Sequence, residues 1–244
     1  MMHRTRLLLA SLSPLKLLDQ VSSRKVFRKF ADTYDLVYFG HVSAQDDEHR
    51  MVHGVTTSAK HHDSHYCVGT IQGHDVILLE REDELQLVTD AYPHKYRWII
   101  LQVDLHGRHD LSHVFIDGKH HNDTFYRTLF AKFSRLLRVD RSTLAQYDEL
   151  FTERFIVYTP PDNTDRFPSL LSPEAAATLA HHFGHFDIEW SQDQVLVYST
   201  GKSASKYLLE HMLKCGIYLA RELEKTALVP VTEEEAVPEE DNAI

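Results

Sequence analysis

The clearest alternation of apolar and polar positions lies between residues 186 and 225. Apolar residues first alternate with acidic ones over residues 186–190, which is the period of a half-buried strand. A polar turn at 191–194 and a more continuously apolar strand at 195–198 follow. From residue 203 to 225 the spacing changes to 3.6 residues, which predicts a long amphipathic helix. A hairpin buries little surface by itself, so we expect this helix to pack on it.

Short apolar runs separated by turn residues predict a series of strands earlier in the chain. Gln72, Gly73 and His74 are expected to form a tight hairpin turn between two of them, with the glycine at positive φ. Strands that follow one another without a helix between them favour an antiparallel sheet. The predicted strands cover residues 36–39, 51–57, 66–72, 75–79, 98–105, 114–116 and 154–159.

Helical periodicity accounts for most of the remaining chain. Pro14 predicts a kink in the first helix. Ser172 and Pro173 predict the start of a later helix, which we expect to end at Gly184. The predicted helices cover residues 1–18, 22–34, 122–138, 143–150, 172–184 and 203–225.

This order of elements predicts an α+β fold, with mainly antiparallel sheet flanked by helices and a long C-terminal helix. We expect N-terminal helices over residues 1–34, a β-rich subdomain with one helix over 35–142, and an α+β subdomain over 143–227 that ends in the long helix. Residues 228–244 are acidic and contain two prolines, and we expect them to be disordered.

Charge is distributed unevenly along the chain. The net charge is −10, but six acidic residues lie within residues 233–244, and the rest of the chain carries −4. That balance argues against a general nucleic-acid binder, which needs a basic face. The first 30 residues instead hold seven Lys or Arg and one Asp. Residues 4–29 therefore suit docking on an anionic membrane or an acidic partner; the alternative is a solvated face over a buried apolar stripe.

The two cysteines, Cys67 and Cys215, lie far apart, and Cys215 falls on the apolar side of the last predicted helix. A reduced, cytosolic chain with both thiols packed as small apolar groups is the simplest interpretation. No run of 18 apolar residues is present, so we predict no membrane-spanning helix. Pro14 and Lys16 interrupt the apolar run near residue 10, which argues against a secretory signal. We therefore expect a cytoplasmic location, with peripheral attachment to a membrane left open.

Histidine is unusually frequent, at 18 of 244 residues. The densest set, called here the histidine-rich group, comprises His61, His62, Asp63 and His65. Imidazole and carboxylate groups are zinc ligands, but three or four must converge on the ion. No His-Glu-x-x-His, Gly-x-Ser-x-Gly or Cys-x-x-Cys motif is present. The histidine-rich group is thus the candidate for a metal, and surface histidines in a loop are the simpler interpretation. We expect no cofactor and identify no catalytic residue.

Four short segments, with the closing strand pair and helix, form a further pattern: Val68-Gly69, Gly73-His74-Asp75-Val76, residues 151–158 and Leu171-Ser172-Pro173-Glu174. Over residues 20–225 this pattern resembles a bacterial family of unknown function. The resemblance implies an α+β domain with an accessory, non-enzymatic role. Members of that family are often joined to membrane-spanning segments, and no activity is established for them, so the resemblance assigns no site residue.

Three hypotheses for function follow. The first is a non-catalytic protein-interaction or regulatory module, whose partner is a protein or, through residues 4–29, an anionic membrane surface. The second is a zinc-dependent hydrolase that uses the histidine-rich group. The third is a small-ligand binding domain with its site in a cleft of the sheet. Homo-oligomerisation is left open, and nucleic acid is disfavoured as a partner by the charge balance.

Overall fold

The structure is a computed structural model that describes residues 14–41, 52–56, 61–85, 94–106, 111–119, 136–201 and 203–226. The helices within these ranges are α1 (Pro14–Tyr34), α2 (Glu149–Arg154), α3 (Phe167–Leu170), α4 (Pro173–Phe183) and α5 (Lys206–Thr226). The strands are β1 (Val37–His41), β2 (His62–Ile71), β3 (His74–Leu85), β4 (His94–Asp104), β5 (Leu111–Asp117), β6 (Leu137–Arg138), β7 (Ile156–Thr159), β8 (Asp187–Gln192) and β9 (Gln194–Thr200).

All nine described strands belong to one antiparallel sheet with the order β1-β2-β3-β4-β9-β8-β5-β7-β6. The predicted α+β class with an antiparallel sheet is therefore confirmed. The sheet continues across the boundary expected near residue 142, because β4 pairs with β9, and β5 pairs with both β7 and β8. The strands of the two expected subdomains thus form a single hydrogen-bonded layer.

One face of the sheet, called here the helix face, carries the larger apolar core. The long helix α5 lies across β4 and β9, while α1 packs on β1 and β2. Alternate residues of β4, Ile99, Leu101 and Val103, point into this core and are almost fully buried. Gly216 lets α5 approach closely, since a β-carbon there would stand 2.8 Å from Cγ2 of Val103. The predicted packing of the long helix on the last hairpin is confirmed.

The opposite face of the sheet, called here the second face, carries a separate apolar cluster built around Trp98, Ile100 and Tyr198. The segment 52–56 lies over this cluster and buries Val52 and Val55 in it. We predicted a strand at 51–57, and the structure shows bends and a turn at 52–56 instead. The apolar residues of this segment serve to cover the second face rather than to extend the sheet.

The helix starts and the hairpin turn depend on local chemistry. Ser172 Oγ accepts a hydrogen bond from the Ala175 N–H at 3.1 Å and begins α4 as predicted. Ser205 does the same for α5, which therefore begins at Lys206 and not at residue 203. Gln72 and Gly73 have φ of 53° and 92°, which confirms the predicted tight turn with positive φ.

Other boundaries differ from the predictions. A single helix, α1, spans Pro14–Tyr34 and so joins the end of the first predicted helix to the second. Residues 1–13 lie outside the described residues, and the predicted kink at Pro14 lies at their boundary. The prediction that a helix continues to about Arg138 is wrong at its C-terminal end. Leu137 and Arg138 form the short strand β6, which pairs with β7. Its earlier part and the predicted disordered tail, residues 228–244, also lie outside the described residues. The helix predicted at 143–150 divides into a 3₁₀ turn at Thr143–Gln146 and α2.

Candidate functional site

The histidine-rich group does not come together on one side of the sheet. Asp63 lies on the second face, where its carboxylate meets Arg81. His65 lies on the helix face, where its ring stacks on Phe27 of α1 at 5.2 Å between centroids. His65 has a φ of 56°, and β2 has a bulge between residues 64 and 67, so the usual two-residue alternation is broken there. Within the described ranges, no set of three or more His, Cys, Asp or Glu side chains is arranged to hold a metal ion.

His65 instead connects α1 to the sheet. Its Nδ1 is 2.9 Å from the hydroxyl of Tyr38, and its ring is almost fully buried. Burial lowers the pKa of His65, which favours the neutral imidazole. A second link runs from Arg97, which donates to Ser23 Oγ at 2.9 Å and to Glu80 Oε2 at 2.7 Å. The position of α1 on the sheet is thus held by polar bonds as well as by its apolar residues.

The second face contains charged groups that the sequence analysis did not single out. Arg81 is fully buried and donates from Nε and Nη2 to the two oxygens of Asp63, each at 2.7 Å. The same guanidinium donates to the Val52 carbonyl at 2.9 Å and is 3.4 Å from Thr56 Oγ1. Because both charges and most donors have partners, this pair fixes the segment 52–56 on the sheet.

Glu189 is the centre of a second polar group on this face. Its Oε2 accepts from the Val55 N–H at 3.0 Å and from the hydroxyl of Tyr198, and its Oε1 lies 2.7 Å from Nε2 of His113. Burial and the adjacent Glu189 carboxylate raise the pKa of Tyr198 well above its usual value. The tyrosine therefore stays protonated and serves as a donor.

Two further carboxyl groups, Asp117 and Asp187, lie side by side where β5 pairs with β8. Asp187 Oδ1 accepts from the Gly118 N–H at 2.9 Å. Burial and the neighbouring Asp117 raise the pKa of Asp187 to about 8, so this carboxyl is protonated at neutral pH. Buried carboxyl groups with a raised pKa also occur in catalytic sites, which makes Asp187 a notable titratable group of the second face.

The alternation of apolar and acidic residues in β8 showed that Asp187 and Glu189 share one face of the sheet, but not whether that face is buried. Asp187 and Glu189 were assigned to the wet side of a half-buried strand, yet both are only 1% exposed. Periodicity shows which residues share a face, but not whether another part of the chain covers that face. Acidic residues in a strand at the middle of a large sheet, next to Trp190 and other large apolar residues, could have indicated burial.

The exposed side of α1 is strongly basic. Arg24, Lys25, Arg28 and Lys29 are all exposed, and none of them forms an ion pair with another described residue. Arg28 lies over the Tyr38 ring, 5.2 Å from its centroid. The aromatic residues Phe27 and Phe30 of the same helix point the other way, into the core, where they are 0% and 3% exposed.

A shallow apolar groove separates α1 from α5 and is called here the docking groove. Val26, Phe30 and Tyr34 form its floor, and its volume is about 150 Å³. Three lysines and one acid surround it: Lys25, Lys29, Lys206 and Glu210. The Glu210 carboxylate is 3.6 Å from the Lys206 ammonium group. Burial, and then Glu210, raise the pKa of Tyr34. The groove offers an apolar slot with a mainly cationic rim.

None of the helices that the structure describes is long and apolar enough to span a membrane. Both cysteines are buried and form no disulfide, and burial raises the pKa of Cys67 to about 12. The two thiols therefore behave as small apolar groups of the core.

The fold defines the class of protein: an α+β domain in which, over the described residues, one antiparallel sheet carries helices on its helix face. The sequence matches no protein-family model and no characterised protein. The crystal structure of the mycobacterial trehalose monomycolate transport factor A, TtfA, is similar in fold, with a TM-score of 0.53 and 11% identity. The match covers 84% of this chain and 94% of that chain. At this identity the similarity concerns the arrangement of elements and assigns no residue.

Proposed function

We propose that this chain is a non-catalytic cytoplasmic module that docks on an anionic lipid surface through the exposed side of α1 and the docking groove. The observation that carries the proposal is the juxtaposition of an apolar slot with Lys25 and Lys29, which form no ion pair with any described residue. A lipid surface presents the complementary pair of features, since anionic headgroups lie directly above acyl chains.

The charge pattern of α1 supports an external anion. Arg24 and Arg28, like Lys25 and Lys29, are four residues apart on the helix, and like charges at this spacing destabilise a helix by a few tenths of a kcal/mol. Lys25 and Lys29 therefore do not stabilise α1 through this spacing, whereas Arg28 also contacts the Tyr38 ring. Each basic residue near an anionic leaflet contributes about 1 kcal/mol to binding, so together they supply up to about 4 kcal/mol.

The size of the docking groove favours a surface over an enclosed small molecule. Sites for small molecules usually have about 300–1,000 Å³, and the docking groove has about 150 Å³. A slot of this size accommodates one apolar side chain or the end of one acyl chain. The remainder of the partner must lie outside the groove, against the cationic rim.

The fold neighbour adds weak support for a non-catalytic role. It is named a transport factor for trehalose monomycolate, and an accessory or binding role for this chain is compatible with that name. The arrangement of charges, rather than this similarity, selects the lipid surface.

The test uses the full chain without an affinity tag, sedimented with vesicles of phosphatidylcholine alone or of phosphatidylcholine and phosphatidylglycerol in equal amounts. We expect binding to the mixed vesicles, no binding to the neutral ones, and release at high salt. The double variant Lys25→Gln/Lys29→Gln should bind about 30-fold more weakly, because two contributions of about 1 kcal/mol are lost.

The control is Arg166→Gln/Lys225→Gln, which makes the same change in net charge at exposed positions on other elements. It should bind like the unaltered chain. Equal binding to both kinds of vesicle, or equal loss in the two double variants, would exclude the proposal. Binding of an acidic protein at these lysines without any vesicle binding would replace the lipid surface with a protein partner.

A further inference from the structure

A second cavity, called here the basic pocket, lies beside β6 and β7, at the edge of the sheet opposite to α1. Its volume is about 310 Å³, which reaches the lower end of the range for small-molecule sites. Buried apolar side chains form its floor: Val139, Leu144, Phe155 and Val157. The basic pocket is therefore about twice as large as the docking groove and has room for a compact ligand.

Lys119 is the most constrained residue of the basic pocket. Its φ is 55°, a conformation that residues other than glycine adopt infrequently. Its Nζ donates to the carbonyl oxygens of Thr152, at 2.9 Å, and of Glu153, which lie at the C-terminal turn of α2. An ammonium group has three donors, and within the described residues two of them meet these carbonyl oxygens. Burial and the nearby Arg138 lower the pKa of Lys119.

Two guanidinium groups complete the cationic rim. Arg138 belongs to β6 and Arg141 follows it, and both are exposed. Neither forms an ion pair with any residue in the described part of the chain. Glu153 is the acidic residue on the rim, and Asp117 lies behind Lys119 and attracts it. Three cations from two segments, Lys119 after β5 and the two arginines at 138–141, thus line one opening together with the Glu153 carboxylate.

We infer that the basic pocket binds the phosphate group of a small phosphorylated molecule. Guanidinium groups match the geometry of phosphate with two parallel hydrogen bonds, and a lysine adds a point charge. The apolar floor then receives the organic part of the ligand. The ligand chemistry is that of a phosphate ester, either of a free small molecule or of a lipid headgroup.

The basic pocket is independent of the proposed lipid-docking surface. The sheet has eight strand spacings between β1 and β6, and at about 4.8 Å each they place its two edges roughly 38 Å apart. Lys25→Gln/Lys29→Gln should therefore leave phosphate binding unchanged. Failure of one proposal does not imply failure of the other.

The experiment is calorimetric titration of the full chain with phenyl phosphate, with inorganic phosphate and with benzyl alcohol, which has a similar apolar part and no charge. We expect phenyl phosphate to bind more tightly than inorganic phosphate, and benzyl alcohol not to bind. The variant Arg138→Gln/Arg141→Gln should weaken phenyl phosphate binding at least about 10-fold, since two charge-assisted contacts are lost. The control Arg166→Gln/Lys225→Gln should bind as the unaltered chain does.

Vesicles that contain phosphatidic acid distinguish the two sources of phosphate when every chain tested carries Lys25→Gln/Lys29→Gln, so that α1 contributes little to vesicle binding. Loss of vesicle binding in Arg138→Gln/Arg141→Gln, but not in the control, supports the site and assigns it to a lipid headgroup. Binding of phenyl phosphate with unchanged vesicle binding supports the site and assigns it to a free ligand. Absence of phosphate binding by the unaltered chain, or binding that the arginine variant leaves intact, overturns the inference.

Discussion

Replacement of Asp187 by asparagine should stabilise the protein at neutral pH. The Asp187 carboxyl is fully buried beside Asp117 and accepts a hydrogen bond from the Gly118 N–H. Its pKa is raised from an ordinary value of 3.8 to about 8, first by burial and then by Asp117. At neutral pH the folded protein therefore holds a proton that the unfolded chain releases.

The sign and size of the effect follow from proton binding. Between these two pKa values the folded state binds more protons than the unfolded state, so stability falls as pH rises from about 4 to about 8. Each pKa unit corresponds to about 1.4 kcal/mol, so the cost at neutral pH is at most about 4 kcal/mol. Asp187→Asn has the shape of the protonated acid, retains an acceptor for Gly118 and has no proton to lose. It should remove this cost and the associated pH dependence.

The assay is urea unfolding of the full chain, followed by circular dichroism at several pH values between about 5 and 8. The free-energy difference between Asp187→Asn and the unaltered chain should grow with pH over this range. Asp165→Asn is the matched control, because Asp165 is exposed and the change in charge is the same. The control should change stability by less than about 0.5 kcal/mol at every pH.

The reasoning would be refuted by a variant that is less stable than the unaltered chain at pH 8. It would also be refuted by an unchanged slope of stability against pH, since the slope would then come from another group. In that case Asp187 is ionised in the folded protein and its charge is stabilised by a contact other than Gly118.

Three further predictions concern the sheet and its two faces. Arg81→Met should lower the free energy of unfolding in urea by about 3–5 kcal/mol, because it leaves the Asp63 carboxylate without its buried partner. Adding Asp63→Asn should recover part of this loss, and a loss below about 1 kcal/mol for Arg81→Met alone would contradict the pairing. Gly216→Val should cost about 1–3 kcal/mol, because its β-carbon would stand 2.8 Å from Val103 and 3.0 Å from Leu101; an unchanged melting temperature would show that α5 can move away. Dialysis against a chelator should leave the melting temperature unchanged, because Asp63 and His65 of the histidine-rich group lie on opposite faces of the sheet and cannot bind one ion together. Stoichiometric zinc in elemental analysis of the untagged protein would contradict this prediction.

Elements with local signals were predictable from the sequence. The cap of α4 combines a serine side chain, a proline at the first position and a glycine at the end, and each acts within a few residues. The hairpin at Gln72 and Gly73 is equally local, since positive φ suits the turn itself. The amphipathic spacing of α5 predicted that it packs on the sheet.

The errors came from contacts between distant parts of the chain. Leu137 and Arg138 continue a helical pattern, but pairing with Tyr158 and Thr159 makes them a strand. The position of His65 depends on a bulge in β2 and on the ring of Phe27, and no spacing in the sequence shows either. The candidate docking surface was partly predictable. The basic residues of α1 are visible in the sequence, but the docking groove forms only where α5 packs beside α1, and the sequence does not show that contact.

The order of the strands also limits how two copies of this chain can associate. The margins of the sheet are β1, with five residues, and β6, with two. A strand exposes hydrogen-bonding groups on its outer side in proportion to its length, and short terminal strands are one way in which proteins avoid pairing edge to edge. The other seven described strands each have a neighbouring strand on both sides. Among the described strands, continuation of the sheet into a second copy at the β6 margin would thus add few backbone hydrogen bonds, so contact between copies there would rest on side chains.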